Sequence, residues 1–259
     1  MIIPPFRWWW TVFVLVPAIA VYTIVLGTLS LISGLIDSRG IWAHRCAQAW
    51  ARLILGTSGV QIRLLGQPLP PAGQSCIFVA NHSSIYDVPI LFTALPRQLR
   101  IMAKAALGYV PFIGWHLLRS GHVLVNRKNP GAGIFKRMQR MARSGASLIV
   151  FPEGSRTLDG TVHRFKGGIF LLAIENKLPV VPVSVSGSRI VMPKGRFMVC
   201  AATVDVTVHD QIPTRDLTRE DARALAERVR TIVASAVPPG KPAGKPAGKV
   251  DRTDAQHPS

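Results

Sequence analysis

Two stretches of this chain place reactive residue types at spacings that chemistry can use. The first is Asn81-His82-Ser83-Ser84-Ile85-Tyr86-Asp87, entered from the apolar run Cys76-Ile77-Phe78-Val79-Ala80. An alcohol is a poor nucleophile until its proton is removed as it attacks, and histidine is the usual base near neutral pH. A carboxylate partner can hold the ring in one tautomer and stabilise the imidazolium. His82 and Asp87 do not share one face of a regular helix. A turn through Ser83 and Ser84, leading into a helix near Asp87, would bring them together, and Pro89 suits the first turn of such a helix. The second stretch is Phe151-Pro152-Glu153-Gly154-Ser155-Arg156-Thr157, entered from Leu148-Ile149-Val150. Glycine permits close backbone approach, and arginine grips phosphate in bidentate fashion. Glu153 would bind an acceptor hydroxyl or orient Arg156. Lys104, Arg127 and Lys166 are further cations in loops, for which solvated charge is the default reading. Each stretch alone has a plainer alternative: a capping aspartate beside an unrelated surface histidine, and a strand-end turn with a local ion pair.

No GxSxG elbow occurs, so a serine acyl-enzyme of the α/β-hydrolase kind is not supported. The base would then act on the acceptor directly. A thioester donor suits that economy, because its leaving thiol has a pKa of about 8.5 and departs without a dedicated acid.

The elements that must carry these residues alternate. Ile77–Ala80, Val123–Val125, Leu148–Phe151 and Val180–Val185 are apolar and rich in β-formers. Asp87–Leu95, Ile134–Ser144 and Phe170–Asn176 lie between them as helices. This order predicts an α/β fold, with a mostly parallel central sheet flanked by helices. Both reactive stretches then fall where strands end, the place where open α/β sheets bind ligands. Val60–Leu65 adds an alternating strand, and Phe197–Val208 one long strand or two short ones. Arg219–Ala236 is a last helix, with Thr218 and Asp221 as its capping box.

Upstream, no charged residue occurs from Trp8 to Ile36. As one helix this would run roughly 43 Å, while one bilayer span needs only about 20 residues. The segment therefore spans with a tilt, or bends at Pro17, Gly27 or Gly34 and dips into one leaflet. Trp8, Trp9 and Trp10 behind Arg7 form an interfacial anchor. The rival readings are a cleaved signal peptide, for which the apolar part is too long, and a buried soluble helix. Ile41–Leu55 is an amphipathic helix, with Gly56 as its stop. The organisation expected is 1–56 as a membrane-anchoring helical segment, 57–237 as the α/β domain, and 238–259 as a disordered Pro/Gly/Lys tail.

Of 259 residues, 31 are Lys or Arg against 13 Asp or Glu, a formal charge of +18. This implies an anionic partner, and the positive mean hydropathy of +0.28 favours an anionic membrane surface over nucleic acid. No nucleic-acid-binding motif is present. Cys46, Cys76 and Cys200 are far apart and form no metal or disulfide pattern.

Four blocks in order resemble the bacterial 1-acyl-glycerol-3-phosphate acyltransferases and the wider glycerolipid acyltransferase family. They are NHSSIYD; Lys104 through Val110-Pro111-Phe112-Ile113-Gly114 to Val125-Asn126-Arg127; FPEGSRT followed by Phe165-Lys166-Gly167-Gly168; and Val181-Pro182-Val183 to Gly187. The resemblance covers roughly residues 70 to 195, a compass within which four blocks keep their order. It implies His82 as base with Asp87 its partner, and Arg127 and Arg156 on the acceptor phosphate, with Lys104 a further candidate. Glu153, Gly154 and Ser155 would shape the acceptor pocket. Ser155 stands where threonine is common, and both keep a hydroxyl. The implied reaction moves a fatty acyl group from acyl-CoA or acyl-carrier protein to the 2-hydroxyl of the lysophospholipid, with no metal or prosthetic group. The implied location is the membrane, at the cytoplasmic face of the inner membrane. An acyltransferase for another lyso-lipid, or a non-catalytic membrane lipid-binding protein, are the alternatives.

Overall fold

The computed structural model describes residues 5–37, 39–71, 73–126 and 133–239. Helix α1 runs unbroken over Phe6–Ser33. Its turn at Thr11–Leu15 is π-helical, and the Val16 N–H bonds back to Thr11 O. This wider turn stands immediately before Pro17, whose ring clashes with the carbonyl four residues back in an ordinary helix. Gly34 begins the turn that ends α1, while Gly27 lies inside it and is a packing position. Helix α2 spans Ile41–Ser58 and stops at Gly59, in the left-handed conformation at φ 67°. The expected stop at Gly56 is thus corrected. Gly56 lies within the helix, and the C-capping position that needs positive φ comes three residues later.

Seven strands make one sheet: β1 (Val60–Gly66), β2 (Ile77–Ala80), β3 (Leu99–Lys104), β4 (Val123–Val125), β5 (Ser147–Val150), β6 (Val180–Ser186) and β7 (Ala202–Val208), in the order β1-β7-β6-β2-β5-β3-β4. Every pairing is parallel except β6 with β7. Between the strands lie α3 (Asp87–Ala94), α4 (Ile113–Arg119), α5 (Gly133–Arg143), α6 (Gly168–Glu175), α7 (Ser188–Val191) and finally α8 (Ala222–Ser235). The fold is α/β, with a mostly parallel sheet flanked by helices and preceded by an apolar helix. The Thr218–Asp221 capping box forms ahead of α8.

The two core faces follow from strand alternation. Phe78 and Ala80 of β2, with Ile149 of β5, point to a core shared with α2 and α3. Ile77, Val79, Leu148 and Val150 point to the opposite core, shared with α5, α6 and α8. Central strands buried on both faces read as continuous apolar runs, which is why β2, β5 and β6 were visible in the sequence. Strand β3 was not, because Arg100 interrupts it. Arg100 is buried, its guanidinium donating to Leu99 O and Arg39 O. Phe197–Val208 resolves into the single strand β7. At the sheet edge, β1 buries only Val60, so its expected alternation does not translate into two distinct faces.

Candidate active site

The parallel strands β2, β5, β3 and β4 deliver their carboxyl ends to one edge of the sheet. His82 follows β2, Glu153 and Arg156 follow β5, and Lys104 closes β3. The predicted turn through Ser83 and Ser84 is present, with Asp87 as the first residue of α3 and Pro89 in its first turn. Asp87 is fully buried, and its Oδ2 accepts three bonds: from His82 Nδ1 at 2.7 Å, Ser83 N at 2.8 Å and Ser84 N at 2.9 Å. An oxygen that accepts three donors has no room for a proton of its own. Nδ1 therefore carries a hydrogen, which in a neutral ring leaves the lone pair on Nε2. Nε2 makes no hydrogen bond among the described residues, and the His82 side chain is 18% exposed. The arrangement is an oriented imidazole with Nε2 open to a reactant.

Several contacts hold the turn. The His82 ring stacks on Phe151, with centroids 4.2 Å apart. Asn81 forms two bonds with the backbone of Val185, joining the end of β2 to β6. Ser83 Oγ meets Ser188 Oγ, and Ser84 Oγ donates to Met192 O. The segment from α7 to Lys194 therefore braces the turn, a role the sequence reading missed. Those positions carry no motif of their own, and only the lone Gly187 at φ 94° signals the bend that brings them there.

Glu153 does not orient Arg156, and no ion pair links the two among the described residues. Its Oε1 accepts from His82 N at 2.8 Å and its Oε2 from His163 N at 3.2 Å. The side chain thus ties the loop after β5 to the turn after β2. Burial raises its carboxyl above the ordinary value, partly offset by those two amides. Gly154 has φ 80°, and a Cβ there would lie 2.9 Å from Lys166 Nζ. The loop thus folds a lysine ammonium over the glycine. Arg156 is half-buried, and its carbonyl accepts from Lys194 Nζ at 2.9 Å. Ser155 and Lys104 are exposed at the same edge. Arg127, the other expected phosphate ligand, lies outside the described residues.

Other histidines are differently placed. His44 and His116 are pushed down to about 4, chiefly by burial and then by nearby Arg100. His122, beside His116, accepts from Ile101 N of β3 at 3.0 Å, and burial pushes it down as well. His116 and His122 also line an apolar cavity of about 160 Å³, walled by Trp50, Phe92, Ile101, Phe112 and Leu117. Val88, the residue after Asp87, belongs to the same wall.

Residues 61–186 match the family model described as Acyltransferase. A 1-acyl-sn-glycerol-3-phosphate acyltransferase of Saccharomyces cerevisiae is 34% identical over 193 residues, which is 72% of this chain and 62% of that protein. The chloroplastic 1-acyl-sn-glycerol-3-phosphate acyltransferase BAT2 of Brassica napus is 32% identical over 186 residues, 70% of this chain and 54% of its own length. The chain thus spans 54% and 62% of the length of these two curated relatives, less than two thirds of either. The crystal structure of the 1-acyl-sn-glycerophosphate acyltransferase PlsC from Thermotoga maritima superposes with a TM-score of 0.68 at 21% identity, covering 84% of this chain and 92% of that one, which supports the fold. The stretch that holds both polar turns, residues 61–186, is a domain that matches the Acyltransferase family model.

Proposed function

We propose that this chain transfers a fatty acyl group from an acyl thioester to the 2-hydroxyl of 1-acyl-glycerol-3-phosphate, giving phosphatidic acid. The observation that carries the reading is the His82–Asp87 pair, 2.7 Å apart, with Nε2 open at the strand-end edge. His82 Nε2 takes the hydroxyl proton as the oxygen attacks the thioester carbonyl. The C–O bond forms, the C–S bond breaks, and the proton passes from the imidazolium to the departing thiolate. Asp87 keeps the ring in the productive tautomer and offsets the imidazolium charge. Arg156 holds the acceptor phosphate, with Lys104 and Arg127 as further cations. The apolar cavity beside Val88 takes an acyl chain, and the donor is acyl-CoA or acyl-carrier protein. The names of the similar curated proteins support the acceptor.

In the same reading the chain is held at the membrane, at the cytoplasmic face, by residues 1–56, with 57–237 as the catalytic domain. Helix α1 is long and apolar enough to cross a bilayer, with mean hydropathy 2.4 and only 6% of its apolar window buried. The deciding experiment is a panel of lyso-acceptors with one labelled acyl-CoA, in the full chain and in His82→Ala. Selective turnover of lysophosphatidate that disappears in the variant is the expected result. A preferred acceptor without a phosphomonoester would remove the acceptor assignment, and turnover retained by His82→Ala would remove the base. Of the tail read in the sequence as disordered, 238–259, all from Gly240 onward lies outside the described residues.

A further inference from the structure

One apolar surface takes no part in the site. Beyond Lys104 the chain leaves the sheet through a 3₁₀ turn, Ala105–Tyr109, enters α4, and returns along β4. The inner side of α4 packs on α1 at three points. A Cβ on Gly27 would lie 2.9 Å from that of Phe112. Ser30 Oγ is hydrogen-bonded to His116 Nδ1, and Arg119 Nη2 donates to Gly34 O at 3.0 Å. Gly27, Ser30 and Gly34 follow one face of α1, so α4 lies alongside it. The outer side is uncovered: Tyr109 is 88% exposed, Leu118 60% and Trp115 49%. Trp115 and Leu118 are three residues apart on one helical face.

We propose that this outer face enters the acyl-chain region of the lipid leaflet that also receives α1, as a second anchoring element. The inference rests on the membrane reading of α1 given above. Lipid is the occupant favoured by continuity, since α1 beside it exposes Ile24, Val25 and Leu29. Tryptophan and tyrosine suit the boundary between chains and headgroups. Lys104 and Arg119, both exposed, stand before and after the segment that carries the patch, and cations there suit anionic headgroups. The 3₁₀ turn springs directly from the carboxyl end of β3, the edge that also carries His82 and Glu153. Seating α4 in lipid would therefore set the depth of the site, bringing it to the headgroup layer where a lysolipid hydroxyl is found.

The test uses the full chain with Cys46 and Cys200 replaced by alanine and the buried Cys76 kept. Single cysteines are placed by Leu118→Cys, Val25→Cys on α1 and Arg223→Cys on α8, and each carries a bimane fluorophore. The probe is vesicles of phosphatidylcholine and phosphatidylglycerol brominated on their acyl chains. Quenching at 118 and at 25, each about fivefold stronger than at 223, is expected for side chains within the apolar layer. Quenching at 25 without quenching at 118 overturns the inference and leaves α1 as the membrane element. Quenching at neither overturns both readings. Protection of the 118 label from aqueous iodide in lipid-free protein would also overturn it, because a second copy or another segment would then cover the face.

Discussion

The turn after β2 and the loop after β5 carry the two halves of the proposed chemistry, yet they are built on different terms. In the β2 turn nearly every polar group is bonded: Asp87 to His82 and two backbone amides, Asn81 to β6, and Ser83 and Ser84 to the segment after it. In the β5 loop the anchors are Glu153 and backbone contacts, while Arg156 and Lys166, together with Lys104 at the end of β3, present charge without an ion-pair partner among the described residues. The difference teaches a division between orientation and capture. A base must meet one hydroxyl at one angle, so its supports are rigid. Cations that gather a phosphate act through longer-range attraction and tolerate motion.

The sharpest way to break that contrast is to delete the base. His82→Ala should lower kcat by about 10²–10⁴ while the circular dichroism spectrum stays native. An effect of only a few fold would mean that the rigid turn serves structure alone. Asp87→Asn should come next, with a kcat loss of about 10² or more and little change in KM, because an amide cannot accept all three donors and misorients the ring. Loss confined to KM would place Asp87 in binding. On the capture side, Arg156→Ala should raise KM for a phosphorylated acceptor about tenfold or more and leave a phosphate-free acceptor nearly unchanged. Equal losses would make the loop as structural as the turn.

Smaller effects probe how the two regions are joined. Gly154→Ala should cost about 1–2 kcal/mol in denaturant unfolding, because alanine is strained at φ 80° and its Cβ displaces the Lys166 ammonium. The smallest concerns Glu153, whose carboxyl burial raises. A raised carboxyl gives stability that is full below its ordinary value and declines as pH rises through the folded one. The stability of Glu153→Gln relative to the parent should therefore improve as pH is raised across that window, read from unfolding midpoints. A gap that widens in the other direction would mean that the two amide bonds outweigh burial.

How much of this was legible depends on what each signal required. His82 and Asp87 were visible as residue types because their turn is local: five residues, two serines and a helix start. Strands β2, β5 and β6 were visible because both their faces are buried. Strand β3 was hidden by Arg100, whose burial is made tolerable by carbonyls of Leu99 and of Arg39 on a distant segment. Helix α4 was hidden because it is short, and its cover comes from α1 rather than from an apolar period of its own. Glu153 was visible as a candidate but its partners were not, since they are backbone amides that no residue pattern marks.

By itself, the sequence determined the α/β alternation, the apolar helix ahead of it, and the chemical types waiting at two strand ends. These follow from side-chain periodicity and local turn chemistry, which act over a few residues. Only the tertiary structure decided that His82 and Glu153 share a hydrogen bond, that the segment after β6 braces the turn, and that α4 rides beside α1 with its outer face bare. Each of those depends on strand order and on contacts between segments far apart in the chain, where distance is set by packing and not by spacing.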